Sequence, residues 1–324
     1  MERLITLGFS PHRIETLPLA EKLMKEHDII ILEEPYNELF FSFLENKISL
    51  ETYVENNDFW FPNFVKSTSL ILKNLYNQGK KIFQIEPYLE RILLIQNKLA
   101  EGQTPEEILQ DSKLKEVYHI ENRAIGKLLD YYKTSLENDF SKIIEAVKVF
   151  SKADAERFRL RDKLRAKAIL KILPERGKVY VEAGTIHIYL KKLLHIYLGK
   201  QWKIRHKFLL EDYFKPLTGK SWIFPPGELL TLRYILKRKE DPQTENLLAA
   251  RSLIYIKIIP KEELVPSEKE LFPHANKELK AIQMVNKLSF NECATLYKEL
   301  FFIKDPDKAK KVVKNFLKHQ KINP

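Results

Sequence analysis

The stretch Lys178-Val-Tyr-Val-Glu-Ala-Gly-Thr-Ile-His187 decides the fold. Its β-branched and aromatic residues form a short apolar run between a lysine and a glycine, the pattern of a buried strand. Gly177 ahead of it turns the chain out of a helix predicted over Ala153–Leu173, which stops before Pro174. Beyond it, a short helix over Tyr189–Tyr197 and a strand over Trp202–Leu210 are predicted. Towards the N-terminus, Leu4-Ile-Thr-Leu-Gly8 reads as a strand. Thr16–Glu26 follows as a helix with Leu17, Ala20, Leu23 and Met24 on one face. Asp28-Ile-Ile-Ile-Leu-Glu33 and the segment from Lys80 to Pro87 give two further strands. Residues 36–77 are aromatic-rich and mostly helical, and 88–150 read as wholly helical, with Thr104-Pro-Glu-Glu107 as a capping box. Strands alternating with helices predict an α/β fold, a mainly parallel sheet flanked by helices.

After Lys215 the pattern changes. Pro225, Pro226, Pro242, Pro260, Pro266 and Pro273 punctuate short helices, and Asp305-Pro306-Asp307 caps the last one. Residues 1–215 are therefore expected to form the α/β domain, and residues 216–324 a mostly helical C-terminal appendage. That appendage is basic: it carries +7 of the chain's net +11. An anionic partner such as nucleic acid would meet it there, although acidic residues are interleaved almost throughout, as on solvated helix faces. The single cysteine, Cys293, excludes an internal disulfide and a multi-cysteine zinc site, and its apolar surroundings read as core. The N-terminus has no signal-peptide pattern, and no apolar stretch is long enough to span a bilayer. The expectation is a cytoplasmic protein with no membrane partner.

In open parallel sheets, ligands bind beyond the C-terminal ends of the strands. The first strand ends in Gly8-Phe-Ser-Pro-His12 with Glu15 shortly after, the second in Glu33-Glu34-Pro35, the third in Glu86-Pro87, and the fourth in Glu182-Ala-Gly184-Thr-Ile-His187. Two histidines and several carboxylates thus fall on one edge. A neutral imidazole takes a proton near pH 7 or ligates a metal, and a carboxylate orients it or shares the metal. The glycine ahead of each histidine permits a tight turn or close approach of a ligand. His12, His187 and Glu33 are the principal candidates, with Glu15 and Glu86 as further ligand-binding ones. On the helix 153–173, Arg157, Arg161 and Arg165 share a face with Phe158, Leu164, Ala168, Ile169 and Ile172. A guanidinium aimed at a sheet needs a partner, and it would also hold a carboxylate, phosphate or oxyanion. Arg161 is assigned a site role, with Arg157 and Arg165 as ligand-binding residues beside it. No nucleophile elbow, Walker loop or dinucleotide fingerprint is present, which argues against a serine hydrolase, a P-loop NTPase and a Rossmann dehydrogenase.

The order of these features resembles the superfamily joining erythromycin esterase, the ChaN-like haem-binding proteins and the TraB/PrgY/Tiki proteins. Glu156-Arg-Phe-Arg-Leu-Arg-Asp-Lys-Leu-Arg-Ala-Lys-Ala-Ile169 with the strand to His187 is similar to that group's Arg-rich helix and second histidine motif. Asp28–Glu33 is similar to its strand ending in glutamate. The resemblance implies that His12, His187 and Glu33 form the site with Arg161. In Tiki-type members such a set is taken to hold a divalent metal; in esterase-type members a histidine activates water without one. Here the first motif has one extra residue, Gly8-Phe-Ser-Pro-His12. The expectation is a hydrolase, protease- or esterase-like, acting on a small molecule or peptide. His12, His187 and Glu33 would hold Mn, Zn or Co if a metal is used. A haem-like or anionic ligand bound without turnover is the alternative, and a nucleic-acid role for residues 216–324 a third.

Overall fold

The structure, a computed structural model, describes residues 2–56, 61–137, 139–238 and 241–319. The chain divides into two compact units, both discontinuous in sequence. The first comprises residues 1–119, 158–222 and 263–271, and the second 120–157, 223–262 and 272–324. The boundary expected at 215/216 falls just before the 222/223 limit, but residues 120–157 group with the C-terminal helices.

The first unit is built on a five-stranded, all-parallel sheet in the order β3-β2-β4-β1-β5. The strands are β1 (Arg3–Ser10), β2 (Ile29–Leu32), β3 (Lys81–Gln84), β4 (Gly177–Gly184) and β5 (Lys203–Phe208). β4 and β1 occupy the centre and carry almost unbroken buried runs, because a strand covered on both faces has no solvated side. The chain moves one way across the sheet from β1 through β2 to β3, and back from β3 to β4 and on to β5. Parallel crossovers are right-handed, so these opposite movements send their helices to opposite faces. One face carries a core of Ile30, Leu32, Ile82 and Tyr180 against Ala20, Met24, Phe40, Phe43, Tyr53, Leu72 and Leu75. By alternation Ile29, Ile31, Val179 and Val181, all buried, point to the other face. Edge strand β5 is Lys-Ile-Arg-His-Lys-Phe, whose charges discourage pairing with another chain.

The stretch expected to be one helical run over 88–150 is broken into Pro87–Ala100, Pro105–Ile108, Ser112–Thr134 and the start of a 33-residue helix, Phe140–Ile172. The capping box at Thr104 is present, with Glu107 answering it. Between Arg161 and Ile172 the buried residues of the long helix are Asp162, Arg165, Ala166 and Ile169. Its inward face is therefore turned by roughly a quarter turn from the one expected, at 100° per residue, with Leu164, Ala168 and Ile172 left half-buried.

The second unit is helical. Pro242–Ile258 is buried on several sides by Leu248, Ala249, Ala250, Leu253, Ile254 and Ile258, and packs with Ile143, Ile282, Val285, Leu296 and Val313. Asp241 caps that helix, and Ser289 with Glu292 caps Phe290–Glu299 by a capping box. Cys293 is a buried free thiol in this core, pushed up to about 12 by burial. No helix among the described residues is long and apolar enough to cross a membrane.

Candidate active site

Strand register brings the two histidines together. β1 pairs with β4 so that Ser10 lies beside Gly184, and β2 lies on the other side of β4. The chain beyond β1 thus delivers His12, and the chain beyond β4 delivers His187, at neighbouring strand ends, with Glu33 following β2. A Cβ placed on Gly184 would stand 3.4 Å from His187 Cδ2, 3.6 Å from Glu33 Oε2 and 3.6 Å from His12 Cε1. The three principal candidates converge on one point, and glycine keeps it open.

The glycine at Gly8 works differently from the turn expected of it. β1 continues past it to Ser10, and its missing Cβ makes room for the Tyr180 ring, whose Oη would lie 2.2 Å from such an atom. The turn is made by His12 itself, at φ 51°, a left-handed conformation that costs a non-glycine residue energy and needs outside support. Support comes from Ser10, whose Oγ accepts from the His12 N–H at 3.0 Å and meets Thr16 Oγ1 at 3.2 Å.

His187 sits in a buried charge network. Its Nε2 lies 2.7 Å from Glu33 Oε1, and its Nδ1 bonds Asp162 Oδ1. Glu33 also accepts from the Gly184 N–H and pairs with Arg161 and Arg165, each at 3.4 Å. Arg161 reaches Glu86 at 3.4 Å, while Arg165 donates to the carbonyls of Ile85 (3.0 Å) and Glu182 (2.6 Å). Three carboxyl groups and three cationic side chains compensate one another, as buried charges must. Burial alone would lower the pKa of His187, but Glu33 and Asp162 outweigh it and raise it to about 9. Burial alone would raise Glu33, yet His187 and Arg165 hold it well below the usual carboxylate range. The two carboxylates at its nitrogens thus favour the imidazolium form of His187, with a proton on each nitrogen.

His12 stands apart from that network. Its side chain is 36% exposed against 3% for His187. Its Nε2 faces Glu182 Oε1 at 3.7 Å, while the other oxygen of Glu182 accepts from the Glu33 N–H at 3.2 Å. The ring meets Phe64 edge-on at 6.1 Å between centroids. Phe64 lies at the start of the helix Pro62–Asn77, whose first N–H groups are bonded by Glu263. A carboxylate is favoured at that positive helix end. Glu34, next to Glu33, accepts from Gln84 at 2.9 Å; burial, with the Glu182 charge, pushes it up to about 7.

Of the remaining candidates, Glu86 and Arg165 lie in the network, paired with Arg161 and Glu33. Glu15 is buried in a 3₁₀ turn (Ile14–Thr16), within electrostatic reach of Tyr213. Arg157, in the second unit, pairs with Asp154 at 2.5 Å and Glu121 at 3.4 Å. Two participants were not among the candidates: Asp162, which fixes His187, and Glu182, which faces His12. Asp162 lies on the same turn as Arg161 and Arg165, and a helical projection centred on Phe158 and Ile169 would have revealed it.

The residues expected to hold a metal, His12, His187 and Glu33, meet about Gly184, with His187 Nε2 towards Glu33 and Nδ1 towards Asp162. Among the described residues no group of three or more His, Cys, Asp or Glu is arranged to hold one.

No family model matches the chain, and no solved structure matches it. An uncharacterized protein of Archaeoglobus fulgidus is 32% identical over 289 residues, which cover 89% of this chain and 96% of that protein. At that identity over nearly the whole of both chains, this chain belongs to the same family as the uncharacterized Archaeoglobus fulgidus protein.

Proposed function

We propose that the first unit is a hydrolase in which His12 is the general base and no metal is used. The supporting observation is the point left open at Gly184, within 3.6 Å of His12, Glu33 and His187. A water molecule held over Gly184, in the space next to that position, would lie beside the half-exposed imidazole. With Glu182 facing Nε2, Nδ1 remains to take the proton of the water as its oxygen attacks the carbonyl carbon of an ester or amide. The charge that develops on the carbonyl oxygen would be offset by Arg161, whose guanidinium is the most exposed cation of the network. His12 would then return the proton to the leaving alkoxide or amine as the bond to carbon breaks. The buried His187–Glu33–Asp162–Arg165 cluster holds the strand ends in place and keeps Glu33 ionised. The substrate class is a small-molecule or peptide ester or amide, the compartment the cytoplasm, and the kinship the esterase-type branch of the superfamily named above.

The test is hydrolysis of an ester, amide and phosphoester panel by wild type and His12→Ala, before and after dialysis against a chelator. Turnover that survives chelation and disappears with His12 is expected. Full turnover by the variant would overturn the assignment. Activity lost on chelation and restored by Mn²⁺, Zn²⁺ or Co²⁺ would return the metal to the site. No turnover with any substrate would leave the cleft a binding site.

A further inference from the structure

The second unit carries a second feature, unrelated to the histidine site. Its segment 272–319 contains ten lysines and five acidic residues, with no arginine. Three of the acids hold the fold: Glu278 accepts from the Tyr255 hydroxyl, Glu292 closes a capping box, and Asp305 caps the N–H groups of Asp307 and Lys308. The lysines have no such work. The helix Pro273–Val285, with Lys277 and Lys280, packs against the helix Pro306–His319, with Lys310 and Lys314, and Lys277, Lys280 and Lys314 all lie in electrostatic reach of Lys310. Asp307 is an acid in the same reach, and Glu278 lies between Lys277 and Lys280 in sequence. Among the described residues, no carboxylate lies within 4.0 Å of the ammonium group of any of these four lysines. Burial and the neighbouring ammonium of Lys280 lower the pKa of Lys310, and Asp307 offsets only part of that.

The chemistry of the face selects its partner. Ala309 and Val313 are buried, and Val312, Phe316 and Leu317 pack against the unit's own core, so the apolar side of the last helix is spent within the unit. No apolar wedge remains on it for a lipid surface. The helix Pro273–Val285 carries no Phe, Tyr or Trp, and Phe316 packs against the core, so neither lysine-bearing helix offers a ring on which unpaired bases would stack. Ammonium groups without an arginine fork or a nest of backbone N–H groups serve as point charges, suited to a polyanion contacted at several places. We infer that Lys277, Lys280, Lys310 and Lys314 form a docking surface for the phosphate backbone of duplex DNA, bound without sequence preference.

The experiment is fluorescence anisotropy of a labelled DNA duplex titrated with the full chain at several salt concentrations. Four phosphate contacts predict a slope of about −3.6 in log affinity against log salt, roughly a hundredfold loss between about 50 and 200 mM. Lys277→Gln/Lys280→Gln/Lys310→Gln/Lys314→Gln should lose most of the affinity and flatten the slope, while the same four changed to Arg should keep both. Lys22→Gln/Lys115→Gln/Lys163→Gln/Lys167→Gln removes equal charge from exposed positions of the first unit and should cost little. Equal loss in both glutamine variants would reduce the effect to net charge and overturn the surface. So would absence of duplex binding at low salt, tighter binding of single strands, or binding of anionic vesicles in place of DNA.

Discussion

His12 and His187 stand at the ends of neighbouring strands, two residues past Ser10 and three past Gly184, and both follow a glycine in sequence. The molecule treats them in opposite ways. His187 is buried, bonded on both nitrogens by carboxylates and held as a cation. His12 is half-exposed, takes a strained backbone conformation and faces one carboxylate across 3.7 Å. The difference teaches that a histidine at a strand end is not by position a base or a ligand. Its free lone pair decides that. A histidine between two carboxylates supplies fixed charge, and one with a free nitrogen can move a proton.

The comparison breaks most clearly at His12. His12→Ala should lower turnover by about a hundred- to ten-thousandfold, the span of a lost general base, and leave the melting temperature close to wild type. Asp162→Ala should do the reverse, costing about 3–5 kcal/mol in denaturant unfolding because it leaves buried cations uncompensated. The pH dependence sharpens this. His187 has its pKa raised from 6.5 to about 9 in the folded state, so its contribution is complete below pH 6.5 and fades as pH rises through about 9. Asp162→Asn should move that fading to lower pH, which melting curves across pH will register.

The two glycines give a smaller contrast. Gly8→Ala forces the Tyr180 ring aside and should destabilise by about 1–3 kcal/mol, as overpacking does. Gly184→Ala meets its neighbours at ordinary contact distance, so the fold should hold while the methyl fills the point between His12 and Glu33 and slows turnover. Smallest is Glu34→Gln. Glu34 has its pKa raised to about 7, so ionising it costs stability as pH climbs from the ordinary carboxylate value through 7. The amide should therefore raise the melting temperature at pH 8 and change it little at pH 4.5.

Much of this was legible in the sequence. The apolar runs at 29–32 and 177–184, and the alternation of strands and helices, predicted the parallel sheet. Strand-end logic put His12, Glu33, Glu86 and His187 on one edge. Asp162 was hidden because Arg161-Asp162-Lys163 reads as a solvated charge run; its burial depends on a helix rotation that tertiary packing set. Glu182 was hidden because a continuously buried strand does not show which face a residue takes. The left-handed turn at His12 follows from how Ser10 and Thr16 brace the chain, a contact no local pattern announces.

The most direct test of the contrast is the protonation of the two imidazoles, read by nitrogen-15 NMR of histidine-labelled protein at pH 7.5. His187 is expected to carry protons on both nitrogens, shielded from exchange, and to lose that signature in Asp162→Ala. A His187 ring protonated on only one nitrogen would contradict it, because that histidine would then be free to act as base or metal ligand and the separation of roles between the two strand ends would fail.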